Sequence, residues 1–451
     1  MSNFPFGFSP DPGGEGERPE QSPADPLSAM FGASGGDIGA ALQKLGQLLS
    51  WKGGPVNWDL ARDVARQVVA QAGDKSVATL DREPALEAMR LAELWLDAAT
   101  AFPSSSATPA AWSRAEWVEE TLPAWRELVD PVAGKVVDSL GSMLSGDGGP
   151  MAQLGLPAEQ VRAMSAMAGP LQQMMRSVGG AMFGTQIGQA IGTLATEVVG
   201  STDVGLPLAP GGRAALLPAN VTAFGEGLGV PEDQVRLYLA LREAAHHRLF
   251  AHAPWLRAHL VAAVAAYGQG ITVDMGRLEE AMGSIDPTNP ESLQQALTGG
   301  MFEPEDTPEQ KAALVRLETA LALVEGWVDE VVDAAAGPHL PAASALRETV
   351  RRRRASGGPG EQTFASLVGL ELRPRRLRDA AALWRAVLAE KGQEGREAVW
   401  AHPDLLPGTD DLDDPSGFAR TLSTEGSTPL DLSGLEDTEA PPEPPSPSPS
   451  A

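Results

Sequence analysis

No cysteine occurs among the 451 residues. Disulfides and thiolate metal sites are therefore excluded, and the chain suits a reducing compartment. The opening Met1-Ser-Asn-Phe-Pro-Phe-Gly7 lacks the basic region and apolar run of a secretory signal, so a cytoplasmic location is expected. A run of about 20 apolar residues, the length that crosses a bilayer, is missing too. The stretch that comes nearest is broken by Arg176, Gln186, Gln189 and Glu197, and no membrane span is expected. Alternating β-branched runs are scarce, which points to an all-α, mainly helical fold. Gly179-Gly180 and Gly211-Gly212 lack the strand-to-helix setting and the lysine of a phosphate-binding loop. Positive charge is short as well: 34 Lys and Arg stand against 60 Asp and Glu, a formal net charge of −26. That balance disfavours nucleic-acid phosphates and anionic membrane surfaces, so no nucleic-acid partner is expected. The basic run Arg351 to Arg354 has no interleaved aromatic residue and reads as a solvated helix end.

Hydrophobic residues make up 43% of the chain, enough for a substantial core. Residues 1–37, rich in Gly, Pro, Ser and Asp, read as a disordered segment. Residues 38–407 read as a helical domain. From Gly408 to Ala451 there are ten acidic residues and one basic residue, Arg420, the composition of a disordered acidic tail. Inside the domain, helical patterns run over 37–51, 57–71 with Asn57 as cap, 83–100, 109–125, 130–144 and 157–176. Trp95, Trp112, Trp117 and Trp125 fall among them at helical spacing and read as core anchors. Gly180, Gly184, Gly188 and Gly192 recur every fourth residue, leaving a bare strip on one helix face. Such a strip costs about 3 to 4 kcal/mol relative to alanine, so it should lie against a second helix near the central one. After a loop over 200–220, further helices follow at 231–253, 255–267, 273–283, 307–336 and 343–355. Thr307-Pro-Glu-Gln310 forms a capping box at the start of the fourth of these. A last pair of helices covers 374–400.

The helix from Pro231 carries Tyr238-Leu-Ala-Leu-Arg-Glu-Ala-Ala-His-His-Arg-Leu-Phe-Ala-His252. Val235, Leu239, Arg242, His246 and Leu249 share its apolar face by the 3, 4, 7 rule, so Arg242 and His246 should point into the core. A buried charge there requires partners. Arg242-Glu243-x-x-His246 has the spacing of His-Glu-x-x-His, in which two histidines one turn apart hold zinc and the glutamate activates water. Arginine, however, has no lone pair to offer a metal. His247 lies about 100° around the helix from His246 and should face away from it.

Together with Gly184-Thr-Gln-Ile-Gly-Gln-Ala-Ile-Gly192, Ala253-Pro-Trp-Leu-Arg-Ala-His-Leu260, Leu323-Val-Glu-Gly-Trp327 and Trp400-Ala-His-Pro-Asp-Leu-Leu-Pro407, this stretch resembles an actinobacterial family of zincin-like metallopeptidases. Its members are often labelled zinc-dependent metalloproteases or deazaflavin-coenzyme-biosynthesis-associated proteins. The resemblance implies a general base at Glu243 and, if zinc is retained, ligands at His246 and Glu325, with no other cofactor. Arg242 and Trp327 stand where complete members carry histidines. We therefore expect Arg242 to pair with Glu325 and Asp329 in place of the metal. The function expected is that of a non-catalytic binding or scaffold protein for a protein or peptide partner. The alternative is an active zinc-dependent hydrolase with rearranged ligands.

Overall fold

The computed structural model describes residues 51, 53–145, 177, 179–209, 212–269, 307–356 and 376–422. Apart from Trp51, these belong to the second of two compact units, 53–451. The expectations for 1–37, for helices at 37–51, 157–176 and 273–283, and for the tail beyond 422 lie outside the described residues.

In chain order the elements are α1 (Trp58–Gln71), α2 (Thr79–Leu96), β1 (Thr108–Ala111), α3 (Arg114–Ser145), α4 (179–195), β2 (Arg213–Leu216) and α5 (Pro218–Gly225). They continue with α6 (Glu232–His252), α7 (Pro254–Gln269), α8 (Pro308–Ala336), α9 (Ala343–Ala355) and α10 (Leu377–Ala398). Two short 3-10 turns, α11 (Thr409–Asp413) and α12 (Pro415–Thr421) complete the described chain. The fold is mainly helical, as the periodicity requires. Helix α6 is its axis, packed by α2, α5, α7, α8, α9 and β2, and α8 in turn carries α10. Trp117, Trp125, Trp327, Trp384 and Trp400 are fully buried among these helices.

Several boundaries differ from expectation. The capping box at Thr307 forms, with the Thr307 hydroxyl accepting from the Gln310 N–H and the Gln310 side chain accepting from the Thr307 N–H. By contrast, the patterns at 109–125 and 130–144 resolve into strand β1 and one 32-residue helix, α3. β1 pairs in parallel with β2, Thr108 opposite Arg213. Strand β1 is Thr-Pro-Ala-Ala, which has no period of its own, and its partner lies about a hundred residues further on. The body also continues past 407. The Asp411 carboxylate accepts from the Gly408 N–H at 2.7 Å, Asp414 accepts from the Gly417 N–H at 2.9 Å, and Leu412 and Ala419 are buried. Acids that read as tail charge are helix caps.

The glycine strip lies against α1. A Cβ at Gly184, Gly188 or Gly192 would come closer than 3.0 Å to backbone or side-chain atoms of Asn57, Ala61 or Val68, and the Gly180 carbonyl accepts from the Asn57 N–H at 2.9 Å. The expected helix-on-helix contact is thus present, with α1 as its partner. Gly188→Ala in an ordinary helix would gain about 1 kcal/mol. Here the obstruction is backbone that cannot swing aside, so the substitution should instead cost about 1 to 3 kcal/mol. Urea unfolding reads the sign, and a gain in stability would refute the packing argument.

Candidate functional site

Glu232 and Asp233 occupy the positive end of α6. Pro231 is its cap residue, and α7 turns off at 94°. Among the described residues no single helix is long and apolar enough to cross a membrane, although α6 and α7 taken together as a bent pair meet that test. Arg242, Glu243, His246, His247 and Arg248 are all buried. They divide between faces of the helix.

The first face meets α8. Arg242 Nη2 donates to Glu325 Oε2 at 2.6 Å. On Oε1 lie Arg354 Nη2 at 2.8 Å and His246 Nε2 at 3.2 Å. His246 Nδ1 is 2.8 Å from the Arg242 carbonyl, which can only accept, so Nδ1 carries a proton. Burial alone would push the Glu325 carboxyl up, but Arg354, Arg242 and His246 together outweigh it and hold the group well below the usual carboxylate range. One turn before Arg242, the Tyr238 hydroxyl has no hydrogen-bond partner among the described residues. Burial pushes it up to about 12, so it stays neutral.

Asp329 does not pair with Arg242. It is taken by Arg347, with Nε 2.9 Å from Oδ2, and by Arg351, with Nε 3.2 Å from Oδ1. Arg353 holds Asp203 at 3.1 Å. The expected solvated helix end is therefore an inward-facing clamp, and only Arg352, with a side chain 78% exposed, faces water. The cause is register. Glu325, Asp329 and Asp333 repeat every four residues on α8, and Arg347, Arg351 and Arg354 answer them from α9. Both ladders are visible in the sequence, but their pairing is not. Trp327 lies about 200° around α8 from Glu325. It packs on Phe102 at 5.7 Å and under the Arg396 guanidinium at 5.8 Å. Position 327 thus faces a different set of side chains from Glu325.

The other face holds Glu243. Its Oε1 accepts from the Ser201 N–H at 3.0 Å, the Ala215 N–H at 3.3 Å, His247 Nε2 at 3.2 Å and the Ser201 hydroxyl. Its Oε2 accepts from the Thr202 N–H at 3.1 Å and the Thr202 hydroxyl at 2.6 Å. Burial raises this carboxyl, but the bonds from His247, Ser201 and Thr202 prevail and bring it to about 2. His247, expected to face away from His246, does so, and it is Glu243 that receives it. Ser201 and Thr202 escaped the sequence reading because an apparent loop carried them. Arg248 escaped it too. It is fully buried and bonded to Glu93 at 2.8 Å, Asp97 at 2.7 Å and the Phe102 carbonyl at 3.0 Å.

As a metal site the arrangement is partial. His246 Nε2 and Glu325 Oε1, 3.2 Å apart, have about the separation of two ligands on one tetrahedral ion. The Nδ1 bond to a backbone carbonyl is the usual brace for a ligating imidazole. Against this, no group of three or more His, Asp or Glu able to hold an ion exists among the described residues. Arg242 and Arg354 also place fixed positive charge on the same carboxylate. His246 and Glu325 are thus two of the three protein ligands that a catalytic zinc ordinarily takes, on a carboxylate already paired with two guanidiniums.

Comparison with known proteins follows the geometry. A family model described as zincin-like metallopeptidase matches residues 56–419, and the chain belongs to that family. The fold is also that of a crystal structure of a provisionally assigned hydrolase with a novel fold from Chloroflexus aurantiacus. That likeness has 21% identity and a TM-score of 0.54, covering 82% of this chain and all of the other. No curated protein matches the sequence.

Two expectations follow for the buried carboxylates. Glu325→Ala strands two guanidiniums and should cost about 3 to 5 kcal/mol. Arg242→Ala should cost less, because Arg354 and His246 remain on Glu325, and equal losses in urea unfolding would deny Arg354 its share. Glu243 ionises at about 2 in the fold against an ordinary 4.5, so its stabilising contribution is complete above about pH 4.5. It is lost as the pH falls through 2, and amounts to about 3 kcal/mol. Glu243→Gln should flatten the stability profile between about pH 5 and pH 2, and a slope unchanged from wild type would contradict this assignment.

Proposed function

We propose that this member of the zincin-like metallopeptidase family acts by binding a protein or peptide partner, with the Arg242–Glu325–Arg354 ion pairs standing where catalytic relatives hold zinc. The observation that carries the reading is Glu325 itself: one oxygen is held by Arg242 at 2.6 Å and the other by Arg354 at 2.8 Å. Glu243 supports it. A general base needs a free lone pair directed at water, and both Glu243 oxygens are filled by backbone, hydroxyl and imidazole donors. An absence of cysteine agrees with a cytoplasmic setting.

The alternative is a working zinc hydrolase in which Glu243 is the base and His246 and Glu325 are ligands. Family membership and the 3.2 Å separation of His246 and Glu325 favour it. Elemental mass spectrometry of the purified full chain separates the two. The wild type should carry no stoichiometric zinc, and Arg242→His, which supplies a lone pair at the vacated ligand position, should raise its zinc content. About one zinc per wild-type chain, lost in His246→Ala, would overturn the binding-protein reading in favour of the hydrolase.

A further inference from the structure

The sequence of α2 divides into two faces. The inner one buries Ala85, Ala88, Met89, Ala92 and Leu96, and the helix packs on α6. The outer one follows the alternating 3, 4 spacing of a helix-pairing seam: Leu80, Glu83, Glu87, Arg90 and Leu94 are all exposed. Leu80 is 87% and Leu94 65% exposed, the two highest values for large apolar side chains among the described residues. Half-buried Leu86 and Leu91 flank them. Between the two leucines, the side chains of Glu87 and Arg90 make no hydrogen bond or ion pair among the described residues, not even with each other. The outer face is therefore apolar at both ends and carries unanswered charge of both signs in the middle.

That pattern is complementary to its own reverse. Glu87 is midway between Leu80 and Leu94, so a second α2 running antiparallel, with the twofold axis at Glu87, sets each Leu80 level with Leu94 of the other copy. Side chains lean toward the N-terminus of their own helix, which in antiparallel helices carries each Glu87 toward Arg90 of the other copy. Glu87 and Arg90 of both copies then alternate about the axis, and an apolar contact closes each end. A parallel pair would instead set Glu83 and Glu87 against themselves. We propose that α2 is the contact surface of a homodimer, in which two copies of this chain pair their second helices antiparallel. From Leu80 to Leu94 the seam runs about 21 Å. A single helix pair of this length falls at the small end of specific interfaces, near or below about 1,200 Å² in total, so the dimer dissociates in the micromolar range. The surface is turned away from α6, and the inference is independent of whether zinc is bound at His246 and Glu325.

Sedimentation velocity of the full chain between about 1 and 300 μM reads the association. Salt at about 0.15 M, with a screening length of about 8 Å, suppresses the mutual repulsion of two chains of net charge −26. The wild type should pass from monomer to dimer across that range. Leu94→Asp should raise the dissociation constant about tenfold or more, and so should Glu87→Arg, which leaves only arginines at the axis. Glu87→Arg combined with Arg90→Glu exchanges the charges and keeps the pattern, so it should restore association to within about threefold of wild type. All three positions are exposed, where substitution leaves the fold intact, and circular dichroism checks this. A wild type monomeric throughout, a dimer indifferent to Leu94→Asp, or a double variant as weak as Glu87→Arg alone would each overturn the proposal.

Discussion

A carboxylate 1% exposed cannot stay ionised unless positive charge is built against it, and Glu325 is such a group. Its demand is met from two elements at once: α6 supplies Arg242 and His246, and α9 supplies Arg354. Arg354 and its neighbour Arg353 also reach Asp203, whose carboxylate accepts from the Val199 N–H at 3.0 Å. One buried acid on α8 therefore fixes the angle of α6, the docking of α9 and the course of the chain after α4. That same segment, 200–202, closes over Glu243 on the other face of α6. The two faces of the central helix are thus tied through a shared piece of backbone.

The portion of this legible in the sequence was what depends on local spacing. Helical period placed Arg242 and His246 on the inward face, the capping box located the start of α8, and four glycines at fourfold spacing announced a close helix contact. What stayed hidden depends on register between distant elements. Asp329 sits one turn from Glu325 and has the right chemistry for Arg242, yet α9 lies nearer to it and takes it with Arg347 and Arg351. The strand Thr108–Ala111 has no signal until Arg213–Leu216 is beside it. Ser201 and Thr202 look like loop residues, and only the folded chain shows their hydroxyls and N–H groups converging on one carboxylate.

The Glu-x-x-x-His pair, Glu243 and His247, has a different meaning from the Arg-Glu-x-x-His spacing that overlaps it. Residues four apart share a face, so Glu243 goes with His247 and Arg242 goes with His246. A single turn of helix consequently carries two buried dyads with opposite needs. Arg242 and His246 serve an acid that lies on another helix, whereas His247 serves an acid on its own. The first dyad joins elements, and the second is closed by the Ser201 hydroxyl, which touches both of its members.

A guanidinium set against a buried carboxylate differs from a metal ion in the physics of the joint as well as in its chemistry. A metal neutralises a buried carboxylate only while it is bound, so its contribution to stability depends on metal concentration and on deprotonated ligands. A guanidinium is covalently attached, remains protonated through the whole accessible pH range and matches a carboxylate in shape. With Arg242 and Arg354 on Glu325, the union of α6, α8 and α9 requires nothing from solution.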